Sequence, residues 1–255
     1  MTVEIFQIPC LDDNYGYLVH EPTSGLTASI DTPDARAINA ALAQKGWRLT
    51  HILNTHHHFD HAGGNEQLKA QWGCTVVGAD GDAARIPGID VRLRDGDNYL
   101  FGESRVVVLE VPGHTTGHIA FYFADEGAAF VGDTLFVLGC GRLFEGTAEQ
   151  MWHSLTKIMS LPDDTVLYCA HEYTQSNARF ALSVDPGNAD LVARSAEINA
   201  LRAAGKPTVP TTLLREKATN PFLRAADVSL QQNLDLVGAP LSSVFAETRR
   251  RKDRF

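Results

Sequence analysis

The chain has 255 residues, 44% hydrophobic and 21% charged, with a net charge of −9. This excludes a disordered polymer and leaves room for one large domain, or one of moderate size with an appendage. No apolar run approaches the roughly 18 residues of a membrane helix, so no membrane partner is expected. The N-terminus, Met1-Thr2-Val3-Glu4-Ile5, has neither a basic n-region nor an apolar h-region, which points to a cytoplasmic protein without a leader. Cys10, Cys74, Cys140 and Cys169 form no CxxC pair and sit among apolar or glycine neighbours, as buried reduced thiols would. The last seven residues carry five basic groups and one acidic, a local +4 that leaves −13 on the other 248. A short cationic tail on an acidic body suits a local anion contact and not a whole-protein nucleic-acid surface.

In chain order, 3–9 alternates like a strand, 14–19 is its hairpin partner and 28–31 a third strand. Thr32 as N-cap and Pro33 at the first helical position open a helix that Gly46 closes. Residues 49–55 are β-rich, 65–72 helical with Gly73 as the stop, and 74–78 a strand. Residues 79–98 read as loop. Strands follow at 105–111, 119–123 and 128–131. A helix over 147–160 opens with a Thr147/Gln150 capping box and presents Met151, Leu155, Ile158 and Met159 on one face. Residues 165–170 form a strand that delivers His171. Beyond about 175 come a helix over 189–204, a stretch broken by Pro207, Pro210 and Pro221, and helical pieces near 226–237 and 241–250. The layout is an α/β body, 1–172, followed by a small, mostly helical C-terminal domain, 173–255.

The chemistry concentrates in Thr55-His56-His57-His58-Phe59-Asp60-His61. In an extended segment residues two apart share a side, so His56 and His58 can enter one pocket while His57 points away. His114, Asp133 and His171 each lie just past an expected strand, where a rigid sheet can aim distant side chains at one point. His20, His51, His57, His118 and His153 form no second set. Five histidines and two aspartates are too many for one tetrahedral ion but suit two ions that share a carboxylate. Imidazole and carboxylate donors admit zinc, iron or manganese, and zinc is the expected metal. Two ions can hold a bridging hydroxide near neutral pH and take up oxyanion charge, without a serine or cysteine nucleophile.

The 55–61 run resembles the HxHxDH signature of the metallo-β-lactamase superfamily, and Gly113-His114, Gly132-Asp133-Thr134 and His171 follow in that superfamily's order. The resemblance implies an αββα sandwich with one metal on His56, His58 and His114, another on Asp60, His61 and His171, and Asp133 bridging. It assigns the catalytic roles to Asp133, Asp60 and His114. Gly139-Cys140-Gly141-Arg142-Leu143-Phe144, His171-Glu172-Tyr173-Thr174, Asn220-Pro221-Phe222-Leu223-Arg224 and the Arg249-x-x-Lys252-Asp253-x-Phe255 ending are similar to the glyoxalase II family. That similarity implies hydrolysis of 2-hydroxyacyl-glutathione thioesters, S-D-lactoylglutathione first among them, in methylglyoxal detoxification. It places glutathione against Arg142, Phe144, Tyr173, Arg249 and Lys252. Phe144 stands where the family often has tyrosine, a lost hydroxyl worth about 0.5–1.5 kcal/mol of binding. The expected partner is this small molecule, bound by a monomer. A one-iron persulfide dioxygenase of the same fold would not need Asp60, His61 and His171. A nucleic-acid-binding protein would need a basic body.

Overall fold

The computed structural model describes residues 3–255; Met1 and Thr2, where the leader reading begins, lie outside them. The chain divides into two compact units, one holding the residues up to Glu110 with Thr116–Gly132, the other Val111–Thr115 with Asp133–Phe255.

The first unit contains β1 (Glu4–Cys10), β2 (Asn14–Glu21), β3 (Leu26–Ile30), α1 (Ala35–Lys45), β4 (His51–Leu53), α2 (Phe59–Ala62), α3 (Asn65–Trp72), β5 (Thr75–Ala79), β6 (Val91–Leu93), β7 (Asn98–Phe101), β8 (Ser104–Glu110), β9 (Ile119–Phe123) and β10 (Ala128–Gly132). Strands β1 to β6 form one sheet in sequence order, antiparallel through β3 and parallel from β3 to β6. Strands β7 to β10 form an antiparallel meander. On the outer face of the first sheet Ile38, Leu42 and Leu68 of α1 and α3 pack with Ile8, Leu18, Ile52 and Val76. Each such side chain removed from water contributes roughly 1.5–3 kcal/mol. On the inner face Tyr17 meets Phe130 at 5.4 Å and His51 meets Phe101 at 5.3 Å, edge to face, so the two sheets are packed on one another.

The α1 cap corrects the sequence expectation. Asp34 is the N-cap and accepts from the Arg36 and Ala37 amides, whereas the Thr32 hydroxyl donates to Asn65 Oδ1. Gly46 and Gly73 close α1 and α3 as expected. The region read as loop, 79–98, contains β6 and ends on the first residue of β7, strands of three and four residues that are too short to show a period.

The second unit contains β11 (Leu135–Phe136), β12 (Gly139–Cys140), α4 (Ala148–Met159), β13 (Val166–Cys169), α5 (Thr174–Val184), α6 (Ala189–Ala203), β14 (Thr211–Thr212), α7 (Leu213–Thr219), α8 (Val228–Asn233) and α9 (Leu241–Lys252). The Thr147/Gln150 capping box is formed, and α4 buries Met151, Ser154, Leu155 and Ile158, with Met159 only partly covered. Helices α5 and α7 lie where no helix was expected. Phe222 stacks on Phe180 and meets Phe245 edge to face, and Trp152 of α4 also meets Phe245, joining α4, α5 and α9 around one aromatic core.

Among the described residues no helix is long and apolar enough to cross a membrane. All four cysteines are buried and free.

Candidate active site

In parallel sheets, functional side chains gather beyond the carboxyl ends of the strands. Asp31 follows β3, and the segment Asn54–His58 follows β4, so the sheet itself sets both next to each other. Asp31 is buried, and its backbone is left-handed at φ 56°, uncommon for a residue with a side chain though most tolerable for Asp and Asn. Its carboxylate accepts from the Thr55 amide and hydroxyl, each at 2.8 Å, and lies 2.8 Å from His61 Nδ1.

These contacts assign protons. An ionised carboxylate only accepts, so His61 donates from Nδ1 and keeps a lone pair on Nε2. The Thr55 hydroxyl spends its hydrogen on Asp31 and therefore accepts from His56 Nδ1 at 3.1 Å, which leaves His56 Nε2 basic. One aspartate thus sets two imidazoles, one directly and one through a threonine. His56 Nε2 and His58 Nδ1 are 3.0 Å apart, close to the about 3.3 Å between two nitrogens on one tetrahedral ion. The donor atoms of His56 and His61, and of Asp60 and His61, also lie within 4.8 Å of each other. Asn14 donates to Asp60 Oδ2 at 3.1 Å. His57 turns away, with Nδ1 2.9 Å from the buried Asp82, and His118 stacks on His56 with ring centroids 4.7 Å apart.

The second unit carries the other expected donors. Asp133 Oδ2 is 3.4 Å from His114 Nε2, and Oδ1 is 3.4 Å from His171 Nε2. Each carboxylate oxygen thus faces one imidazole. His114 Nδ1 is 2.8 Å from the Arg142 carbonyl; a carbonyl can only accept, so the proton is on Nδ1 and Nε2 has the lone pair. Gly141 is required here, because a Cβ would stand 2.0 Å from the Asp133 carbonyl oxygen. The other approach to Asp133 is equally tight: at Gly132, φ 49°, a Cβ would stand 2.7 Å from His118 Nε2 and Thr55 Oγ1. Basic imidazole nitrogens with their far nitrogens engaged, together with carboxylates and no thiolate, are the donor chemistry of a divalent-metal centre.

The residues expected to hold substrate also lie in the second unit. The exposed Phe144 ring is 5.1 Å from His114, and Tyr173 stacks on His171 at 4.7 Å. Arg249 is only 4% exposed. Its guanidinium donates to the Cys140 carbonyl at 2.9 Å, pairs with Asp253 at 2.8 Å and lies over Phe222. Lys252 is within 3.3 Å of the Ser176 carbonyl and hydroxyl and close to the Phe180 and Phe255 rings. Burial and then Arg249, Arg179 and Arg142, against Asp253, push the Lys252 ammonium down to about 8. Sequence reasoning passed over Asp31, whose signal was its place one residue past a strand. It also passed over Asn177, Glu216 and Asn220, which hold the Phe136–Gly139 turn: Asn177 donates to the Val137 carbonyl, Glu216 accepts from the Leu138 amide, and Asn220 donates to the Phe136 and Gly139 carbonyls.

Residues 26–171 match the metallo-β-lactamase superfamily model, and residues 172–255 match the model of the hydroxyacylglutathione hydrolase C-terminus. Over 253 residues the chain is 58% identical to a hydroxyacylglutathione hydrolase of Methylococcus capsulatus, covering 99% of both chains. Over 251 residues it is 55% identical to that of Maricaulis maris, covering 98% of both. Among solved structures, ETHE1 from Myxococcus xanthus is 25% identical with a TM-score of 0.67, covering 99% of this chain and 98% of that one. TTHA1623, solved in a di-iron-bound form, is 26% identical with a TM-score of 0.61, covering 82% of this chain and 95% of that one. Full-length identity to hydroxyacylglutathione hydrolases, carried through the helical C-terminal region, separates this chain from the other activities built on the same sandwich. With the metallo-β-lactamase fold, an imidazole and carboxylate donor set and both family models in register along its length, the chain belongs to the hydroxyacylglutathione hydrolase family of thioester hydrolases.

Proposed function

We propose that the chain hydrolyses S-D-lactoylglutathione and related 2-hydroxyacyl-glutathione thioesters to glutathione and the free 2-hydroxy acid. Two divalent ions, zinc first, would be held by His56, His58 and His114 and by Asp60, His61 and His171, with Asp133 as ligand to both. The observation that carries this reading is Asp133 with one imidazole Nε2 facing each carboxylate oxygen at 3.4 Å. The full-length relatives named for this hydrolysis supply the substrate class. When bound, such ions lower the pKa of water towards neutrality and neutralise charge developing on the thioester oxygen. The chain's own residues do the rest. Asp31, Thr55 and the Arg142 carbonyl hold imidazole protons away from the centre, so that every Nε2 they govern stays basic. Arg142 and Lys252 offer cations to the glutathione carboxylates, and Tyr173 its ring and hydroxyl. Arg249 is read as acting largely by fixing Cys140, and with it the turn that ends in Arg142.

Working as a single chain belongs to the same reading, since every donor comes from one sequence. A cytoplasmic setting is supported by four buried, unpaired thiols. The test is elemental analysis of purified protein beside thioester hydrolysis followed at the thioester absorbance. Two equivalents of metal with turnover are expected, zinc the leading metal. Asp133→Ala should lose metal and at least about a hundredfold in kcat/KM. Undiminished turnover by a metal-free Asp133→Ala protein would overturn the mechanism.

A further inference from the structure

Four cations gather on one side of the second unit. Lys252, in the last turn of α9, touches Ser176 and lies near the Phe180 ring, residues that flank Arg179 on α5. Arg179 lies three residues beyond Ser176, one turn along the same helix face, and is exposed. Arg249 fixes the Cys140 carbonyl two residues before Arg142, whose side chain is exposed. Asp253, which opposes them at Lys252, is already paired with Arg249. Three nearby acids are engaged elsewhere: Glu172 with Thr208, Asp185 with Arg224, Glu247 with Arg250 and Arg251. Arg142, Arg179 and Lys252 therefore stand in like-charge company, which costs stability unless an anion joins them. Burial first, and then Arg249, Arg179 and Arg142, lower the Lys252 ammonium.

The ligand of the proposed reaction has the missing charge. A glutathione thioester carries two carboxylates and one ammonium, and of the two cations already offered to it Arg142 is exposed while Lys252 is half-buried and engaged with Ser176. Arg249, buried and engaged through all three guanidinium nitrogens, is poorly placed to be the second direct partner. We propose that Arg179 is a further specificity-determining residue, binding a carboxylate of the glutathione moiety alongside Arg142 and Lys252. This rests on the hydrolase reading above. It adds to that reading a cation on α5 that was not among the expected contacts.

Two measurements test it. Calorimetric binding of S-methylglutathione needs no turnover: Arg179→Gln should bind about tenfold more weakly and Arg179→Lys within about threefold of the parent, as expected for a charge-assisted contact. In hydrolysis, Arg179→Gln should raise KM for S-lactoylglutathione about tenfold with little change in kcat. It should leave the parent's KM unaltered for the diethyl ester of the same thioester, in which both carboxylates are neutral. Equal affinity of parent and Arg179→Gln for S-methylglutathione, or an equal KM loss on the neutral diester, would overturn the proposal. A parent protein that binds S-methylglutathione in this charge-dependent way yet hydrolyses no thioester would leave the proposal standing and sink the hydrolase reading instead.

Discussion

Asp31 is not itself one of the expected ligands, yet it fixes the protons of two of them. Its carboxylate receives the Thr55 hydroxyl, which in turn receives His56 Nδ1, while its second contact is His61 Nδ1 itself. Asp31→Asn keeps the shape but removes the charge and turns one oxygen into a donor, so the His61 proton loses its acceptor. Metal affinity should fall about 10- to 100-fold, measured by competition with a chelator, while circular dichroism stays unchanged. Lys252 makes a second residue-level prediction. Its folded-state value is lowered to about 8, so the side chain is a cation below that pH and neutral above it. The attraction for substrate carboxylates is therefore present at lower pH and is lost as pH rises through about 8. Profiles of kcat/KM, which report groups of the free enzyme, should show KM rising above that point. Lys252→Arg should remove that limb, because arginine keeps its charge over the whole range. A KM limb unchanged in the arginine variant would assign it to another group.

At the scale of elements, the short hairpin β11–β12 links Asp133 to Arg142 and is clamped from outside as well as by its own two-residue pairing. Asn177 of α5, Glu216 of α7 and Asn220 occupy its peptide groups in turn, and buried Arg194 of α6 pairs with Glu216 behind them. Asn220→Ala leaves two buried carbonyls without their donor and should cost about 1–3 kcal/mol, read from the denaturation midpoint. Asn220→Asp should cost more, since it sets a carboxylate against those carbonyls and against Glu216 Oε2 at 3.0 Å. Equal costs for the two variants would argue against the clamp. The same elements show what a sequence conceals. Helix α3 and the capping box of α4 were legible because the stop glycine and the Thr/Gln pair act within a few residues. Helix α5 was not, because no side chain caps it and Asn177 interrupts its apolar face in order to serve a turn forty positions away. Helix α7 hid between Pro210 and Pro221, and β14 is two residues paired to β13, visible only once the partner is placed. Among the donors, His56, His58, Asp60, His61, His114, Asp133 and His171 stood out because metal chemistry admits few residue types. Asp31 is one of 31 acidic residues, and nothing but its contacts distinguishes it.

At the scale of the whole molecule, the proposed donors are split between the two compact units. His56, His58, Asp60 and His61 belong to one, and His114, Asp133 and His171 to the other. An unfolded chain does not hold its donors in place, so metal would bind the folded state far more tightly than the unfolded one. Binding then adds RT ln(1 + [L]/Kd) to stability, about 2.7 kcal/mol for each site at a hundred times its Kd. For a chain of 150–250 residues each kcal/mol moves Tm by about 2–4 °C, so chelation should lower Tm by roughly 5–10 °C per site emptied. The loss should be reversed by adding back zinc, and Asp133→Ala, with its common donor gone, should show a markedly smaller chelator response than the parent. The four cysteines offer no rival explanation, since all are free and buried and a chelator does not act on them as disulfides. Removal of metal without any change in Tm would mean that the ions have no preference for the folded chain, and would overturn the donor set as a folded-state site.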